Sequence, residues 1–311
     1  MNARARVAFA IVSVLWGIPY LFIKIAVDDG VPPAFVAWVR VVLGAIILLA
    51  LSWNMGVFKA VRGRWKWVAA FVLVEIVIPY PLIAIAEQHV NSSVAAILIA
   101  AAPLFVALLA LGFDASERIG GGRLAGLLIG LAGVVMFVGI DVAGRKDELF
   151  AALAILAAAF CYAVGPMVFK HHLSDLDSRV SMSASLLVAA MLLAPAAALQ
   201  PIRVIPSTAA VLALLGLGVL CTAAAFIAFG VLITEAGPGR SVVVTYINPV
   251  VAVAAGMAVR GEHVGTGAFL GLGLILLGCR LSTEGRLLRR PASGIPGAIP
   301  PLPDASGEIG E

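Results

Sequence analysis

The sequence predicts an all-α polytopic membrane protein, with ten transmembrane helices arranged as two inverted five-helix repeats. Three observations lead there: a composition too apolar for a soluble fold, ten charge-poor stretches of membrane length, and residues that recur at a fixed offset. Of the 311 residues, 62% are hydrophobic and 12% charged, against roughly 45–50% and roughly 25% in soluble domains. The mean hydropathy is +1.09. A single core of this size cannot enclose so much apolar surface, so soluble and disordered classes are excluded. Cys161, Cys221 and Cys279 all fall in apolar runs, so no disulfide framework and no zinc spacing is present in the sequence. The net charge of +4 and the pI near 9.2 reflect loop topology rather than nucleic-acid binding.

A transmembrane helix needs ~20 mostly apolar residues. Stretches of that kind cover 7–27, 32–52, 67–86, 92–112, 122–140, 149–169, 180–199, 208–234, 241–259 and 264–283. Charge enters their interiors at Arg40 and Glu75, with Lys24 near the end of the first; every other charge lies in a loop or at a helix end. With the N-terminus inside, the inner segments hold fifteen Lys and Arg and the outer loops only Arg145, Lys146, Arg203 and Arg260. That imbalance places both termini in the cytoplasm of a multi-pass inner or plasma membrane protein. The first apolar run is long enough to span and lacks a cleavage site, so it is read as a retained helix. From 284 to 311 a Pro-, Gly- and Arg-rich tail without apolar periodicity reads as disordered and cytoplasmic.

Lys24 and Lys170 are 146 residues apart, as are Pro103 and Pro249; Glu117 and Glu262 are 145 apart, as are Gly126 and Gly271, and Gly133 and Gly278. Residues 1–141 and 148–283 therefore read as two copies. An odd number of spans per copy inverts the second, a device that lets two bundles open a shared cavity to alternate sides. Trp16-Gly17 with Lys24, then Pro33 and Arg40, resembles the opening of an EamA-type transporter repeat, and Ser92-Ser93-Val94 through Pro103, Glu117, Gly126 and Gly133 resembles its close. The second copy follows from Tyr162 and Lys170 to Pro249, Glu262, Gly271 and Gly278, but it has Ala163 opposite Gly17 and no arginine opposite Arg40. The resemblance to ten-helix members of the drug/metabolite transporter superfamily covers about residues 7–283. It implies a secondary transporter of small metabolites, with efflux of amino acids or related solutes favoured. Uptake of a vitamin or nucleobase, flipping of a lipid carrier, an intramembrane enzyme and a scaffold are the alternatives.

Paired Pro and Gly interruptions point to a midplane site: Gly17-Ile18-Pro19 against Gly165-Pro166, and Pro103 against Pro249. The expected cavity is lined by the first, third, fourth, sixth, eighth and ninth helices. Glu75, near the middle of the third span, is the foremost candidate, because ionisable groups at that depth are rare and usually functional. It suits a proton-coupling carboxylate, a seat for a substrate ammonium, a buried ion pair with Arg40, or a neutral hydrogen-bonded acid. Trp16, Tyr80, Tyr162 and Tyr246 carry polar handles that favour a cavity wall over lipid. Thr245, Tyr246 and Asn248, before Pro249, form the most polar turn of the second half. Lys24 is expected to snorkel outward toward Asp28 or Asp29. Glu87, Gln88 and Asn91 end the third span, where they read as a gate at the outer mouth or, in preference, as an ordinary solvated loop; His171-His172 reads as a solvated loop too. The glycines of the fifth and tenth spans suit close helix packing and a homodimer. No catalytic motif, cofactor or metal site, P-loop or nucleotide fold is legible, so the expected partners are a small-molecule substrate and the lipid bilayer.

Overall fold

The computed structural model describes residues 2–113, 121–139, 146–237, 241 and 243–287. These residues build helices and turns: α1 (Ala3–Gly17), α2 (Pro19–Asp28), α3 (Pro33–Leu51), α4 (Val57–Ala60), α5 (Trp65–Val72), α6 (Pro79–Ala86), α7 (Ser92–Ile99), α8 (Ala102–Phe113), α9 (Gly121–Phe137), α10 (Lys146–His172), α11 (Ser178–Leu199), α12 (Thr208–Leu215), α13 (Ala225–Ala236), α14 (Val244–Arg260) and α15 (Thr266–Leu287). Seven stretches are long and apolar enough to cross a membrane, and 124–137, 244–260 and 266–282 are shorter apolar helices. The chain is thus a multi-pass membrane protein. Exposed aliphatic and aromatic side chains such as Ile46, Val135 and Phe150 ring the bundle, as contact with lipid requires. The last helix runs to Leu287, past the expected start of the tail at 284. Glu117 and residues 288–311 lie outside the described residues.

The expected helix breaks occur in the first half only. Pro19 opens α2 after Gly17 closes α1, and the fourth span is interrupted between Ile99 and Ala102, just before Pro103. Pro166 and Pro249 instead lie inside the continuous helices α10 and α14. Two wider π turns were not expected from the sequence. Leu73–Val77 joins α5 to α6, with the Ile78 N–H bonded to the Leu73 carbonyl at 3.0 Å, and Gly216–Ala224 joins α12 to α13. Pro79 lacks the N–H that an α-helix would offer the Glu75 carbonyl, so regular winding fails there. In the other π turn, Gly216 and Gly218 lower the helical preference. The 146-residue offset places Glu75 opposite Cys221, so the two π turns occupy matching positions in the two halves.

The helices pack in two groups around the centre. α1 lies against α13 and α14, while α10 lies against α6, α7 and α8. A third contact joins α9 to α15 almost backbone to backbone. A methyl group added at Gly133 would lie 2.8 Å from Leu274 Cβ and 2.9 Å from the Gly271 carbonyl; one at Gly126 would lie 2.6 Å from the Ser282 nitrogen. The glycine faces expected to serve packing or a dimer are thus occupied within one chain. Gly122 meets nothing within 4 Å.

Gly133→Val is therefore expected to overpack α9 against α15 and cost about 1–3 kcal/mol. Gly122→Ala should leave stability unchanged. Thermal melts of the detergent-solubilised protein, followed by size-exclusion recovery, compare the two; equal melting temperatures would contradict the close packing.

Candidate functional site

The centre of the molecule is organised by Arg40 on α3. Gly44, one turn on from Arg40, lets α3 approach the second π turn: a methyl at Gly44 would lie 2.6 Å from Thr222 Cγ2, and one at Gly216 2.7 Å from the Phe22 ring. The close approach brings the buried Arg40 Nε to 3.1 Å from Thr222 Oγ1, to which it donates. Thr222 in turn donates to the Leu217 carbonyl at 2.8 Å, five residues back along the π turn. The Arg40 guanidinium lies over the Tyr80 ring, 4.0 Å from its centroid, an attraction of about 2 kcal/mol when desolvated. No described carboxylate lies within ion-pair distance of Arg40. The expected Arg40–Glu75 pair is not formed.

Glu75 projects from the first π turn toward α10. Its Oε2 is shielded from solvent and meets no hydrogen-bond donor among the described residues. Gly165 makes room for it, since a methyl there would overlap the carboxylate. This explains the Gly165-Pro166 pair better than a helix break does. Tyr80 and Tyr162 lie close enough to feel both Arg40 and Glu75, and Tyr20 feels Arg40 and Tyr80. The centre therefore unites Arg40, Glu75, Tyr20, Tyr80, Tyr162 and Thr222, from both halves of the chain.

Other expected site residues lie elsewhere. Trp16 packs on Phe229 and Phe226, with ring centroids 4.6 and 5.9 Å away, so it joins α1 to α13. Tyr246 donates to the Cys279 carbonyl at 3.5 Å, facing α15. Asn248, with its amide turned to donate, reaches the Val244 carbonyl at 2.8 Å and the Ser13 carbonyl at 3.2 Å. It therefore locks α14 to α1, where Gly17 admits Val251. Thr245 and the buried Pro249 lie on the same helix, and Pro103 lies at the start of α8. Tyr20 and Thr222 escaped the sequence reading. Tyr20 follows Pro19 directly and was legible as one of only four tyrosines; Thr222 carries no comparable signal.

One end of the bundle is closed by polar contacts. The Glu262 carboxylate, in the turn between α14 and α15, accepts four hydrogen bonds from the first residues of α7: Ser92 N (3.1 Å), Ser92 Oγ (2.7 Å), Ser93 N (3.0 Å) and Ser93 Oγ (2.5 Å). A carboxylate there also meets the positive end of the helix dipole. Burial disfavours its charge, but the four donors outweigh burial and hold the carboxyl below its ordinary value of 4.5. Arg260 pairs with Asp28 at 2.5 Å, and the Asp29 carboxylate accepts from the Ser207 nitrogen at 2.7 Å. Lys24 reaches Asp28, as expected, at 3.0 Å, but it is buried and also donates to the Glu87 carbonyl at 2.7 Å. Glu87 itself is fully buried rather than solvated. A cavity of about 260 Å³ opens beside the Glu262 contact, lined by His89, Asn91, Ser93 and His263 among others.

At the opposite end, Arg64 pairs with Asp175, Trp67 stacks on His172 with centroids 3.4 Å apart, and Asn2 donates to Glu235 at 2.7 Å. The stacking corrects the solvated-loop reading of His172. The Arg64 and Asn2 contacts join α5 to the α10–α11 turn and α1 to α13, whereas the Glu262 and Lys24 contacts join the α14–α15 turn to α7 and α2 to the end of α6.

A model of the EamA-like transporter family matches residues 4–139 and again 149–283. The chain belongs to that family, with two copies of its domain. Among its relatives, the "Uncharacterized inner membrane transporter YedA" of Escherichia coli K12 is 29% identical over 309 residues, covering 95% of this chain and 94% of the relative. A "Probable amino-acid metabolite efflux pump" of the same organism is 23% identical over 310 residues, covering 93% and 98%. A transporter of Archaeoglobus fulgidus is 26% identical over 257 residues, covering 80% and 86%. A solved crystal structure, 20% identical, superposes with a TM-score of 0.64 over 93% of this chain and all of the other. The chain is thus a membrane transporter at the level of its family.

The Glu262 closure should loosen in acid. Its contribution is complete above the ordinary carboxylate value of 4.5 and is lost as pH falls through the lowered value of the folded protein. The protection of residues 92–99 against hydrogen exchange, corrected for intrinsic rates, should therefore fall on acidification in the wild type. In Glu262→Gln exchange should be fast already at neutral pH; protection equal to wild type there would remove Glu262 from the closure.

Proposed function

We propose that this protein is a secondary active exporter of small zwitterionic metabolites of the amino-acid class, working by alternating access. In this reading ten helices cross the membrane as two inverted five-helix repeats, the shorter helices included. The 146-residue offset supports it, and so do the two π turns at matching positions. The Lys and Arg distribution directs the Arg64 end to the cytoplasm and the Glu262 end outward. In the conformation described, the outer end is then the shut one.

The observation that carries the substrate class is the separation of opposite charges at the centre. Arg40 is buried with only neutral partners, Thr222 and Tyr80, while Glu75 Oε2 has no donor. An isolated charge in the membrane interior is expensive and marks a solute pathway. A substrate carboxylate would replace the missing anion at Arg40, which presents a planar, bidentate fork. A substrate ammonium would do the same at Glu75. Tyr20, Tyr80 and Tyr162 would form the wall between the two. The relative described as an amino-acid metabolite efflux pump supports the same class.

Counterflow in proteoliposomes tests this reading. The wild type should exchange a labelled amino acid and discriminate against both its decarboxylated amine and its N-acylated acid. Glu75→Gln and Arg40→Gln should each lower exchange at least tenfold, about 1.4 kcal/mol or more of lost binding. Equal exchange of amine, acid and zwitterion would overturn the substrate class; exchange that survives Glu75→Gln would make Glu75 structural.

A second variant probes the placement of the carboxylate. Gly165→Ala leaves both charges in the chain but pushes Glu75 from its seat, so it should reproduce the Glu75→Gln defect while the protein stays folded. Unimpaired counterflow in Gly165→Ala would show that the seat is not used.

A further inference from the structure

Glu87 is the most confined acid among the described residues. It ends α6 just beyond the apolar stretch that closes at Ala86. Its side chain is 0% exposed, and neither carboxyl oxygen has a hydrogen-bond partner among the described residues. Ile83, Ala84, Ala86 and Val90 around it are buried in the apolar core. The charged groups that reach it come from three elements: Lys24 and Asp28 on α2, Arg40 on α3, and Glu262 between α14 and α15. Tyr20 on α2 also feels it. From α10, which packs on α6, Tyr162 joins the same cluster through Tyr20.

Lys24 is the natural counter-charge, yet its ammonium is taken up by Asp28 and by the backbone carbonyl of Glu87 itself. Two carboxyls, Asp28 and Glu87, thus compete for Lys24, while Arg260 is paired with Asp28 and Glu262 draws on the serines. An ionised Glu87 in this enclosure would be a buried charge without a partner, which is strongly unfavourable. Burial acts first in favouring the neutral acid, Lys24 opposes it, and Glu262 and Asp28 add to it.

We propose that Glu87 is a proton-binding site that controls closure of the Glu262 end. With the end shut, a proton taken from water occupies a Glu87 Oε, and the neutral acid fits its apolar enclosure. As the end opens, that proton returns to water, and the carboxylate takes Lys24 as its partner. Proton binding therefore favours the shut state. The cavity lined by His89 and Ser93 gives water a place at this end, and His89 lies two residues along the chain from Glu87. The proposal rests on the alternating-access reading, in which this end opens. It adds a ligand, the proton, and a residue outside the Arg40–Glu75 centre.

The sign separates Glu87 from Glu262. Neutral Glu87 favours the shut state fully below its ordinary carboxylate range, and that contribution is lost as pH rises through its raised value in the shut state. Glu262 acts in the opposite direction and only in acid.

The test uses the full chain in lipid nanodiscs. Hydrogen exchange of residues 92–99, corrected for intrinsic rates, is measured in steps from about pH 6 to about pH 9.5, a window above the ordinary carboxylate range. Wild type should lose about tenfold or more of its protection at the upper end of that window, and Glu87→Gln should change less than about twofold. Glu87→Asp, which keeps a titratable group, should retain the pH response and shows that the site tolerates substitution. A pH response in Glu87→Gln equal to wild type, or none in wild type, overturns the proposal. Counterflow measured on the same samples reports separately on transport: its absence in wild type would refute the function while leaving the exchange result to decide the role of Glu87.

Discussion

A charge inside a lipid bilayer has to find its partner within the protein, and the structure withholds that partner at its centre. Arg40 is turned to a hydroxyl and an aromatic face, and Glu75 is turned to a glycine in another helix. The energy of pairing the two directly is forgone. Forming these sites needs helices that depart from regular winding, and both π turns lie where they serve it: one carries Glu75, the other Thr222. The close packing of α3 on the second π turn, through Gly44 and Gly218, and of α2 on it through Gly216, follows from the same requirement.

The two ends of the molecule are built differently. At the Arg64 end, separate single contacts join α5 to the α10–α11 turn and α1 to α13. At the Glu262 end, one carboxylate satisfies two backbone N–H groups and two hydroxyls of α7. Those N–H groups lack helical acceptors by construction. A small movement of the α14–α15 turn would release all four bonds together, which makes the contact suited to two discrete arrangements rather than a graded one.

The comparison with the relatives agrees with this division. The family model covers both halves almost end to end, and the match to a solved structure extends over nearly the whole chain. What differs between the halves is local: proline breaks the first and fourth spans but not the sixth and ninth, and Arg40 has no counterpart. The centre is therefore asymmetric.

The sequence by itself determined the class, because apolar content and run length are properties of composition and need no contacts. It also determined the duplication and the prominence of Glu75, since a lone acid in an apolar run is visible without a fold. Tertiary structure alone decided the partners. Arg40 met Thr222, 182 residues away, and Glu75 met Gly165; no local pattern encodes either. Trp16, Tyr246 and Asn248 looked like cavity residues because polar handles need partners, but their partners turned out to be neighbouring helices. Glu87 read as a loop residue because loop position usually implies solvent. Its burial depends on where α2 and the α14–α15 turn arrive, and helices from distant parts of the chain set that position.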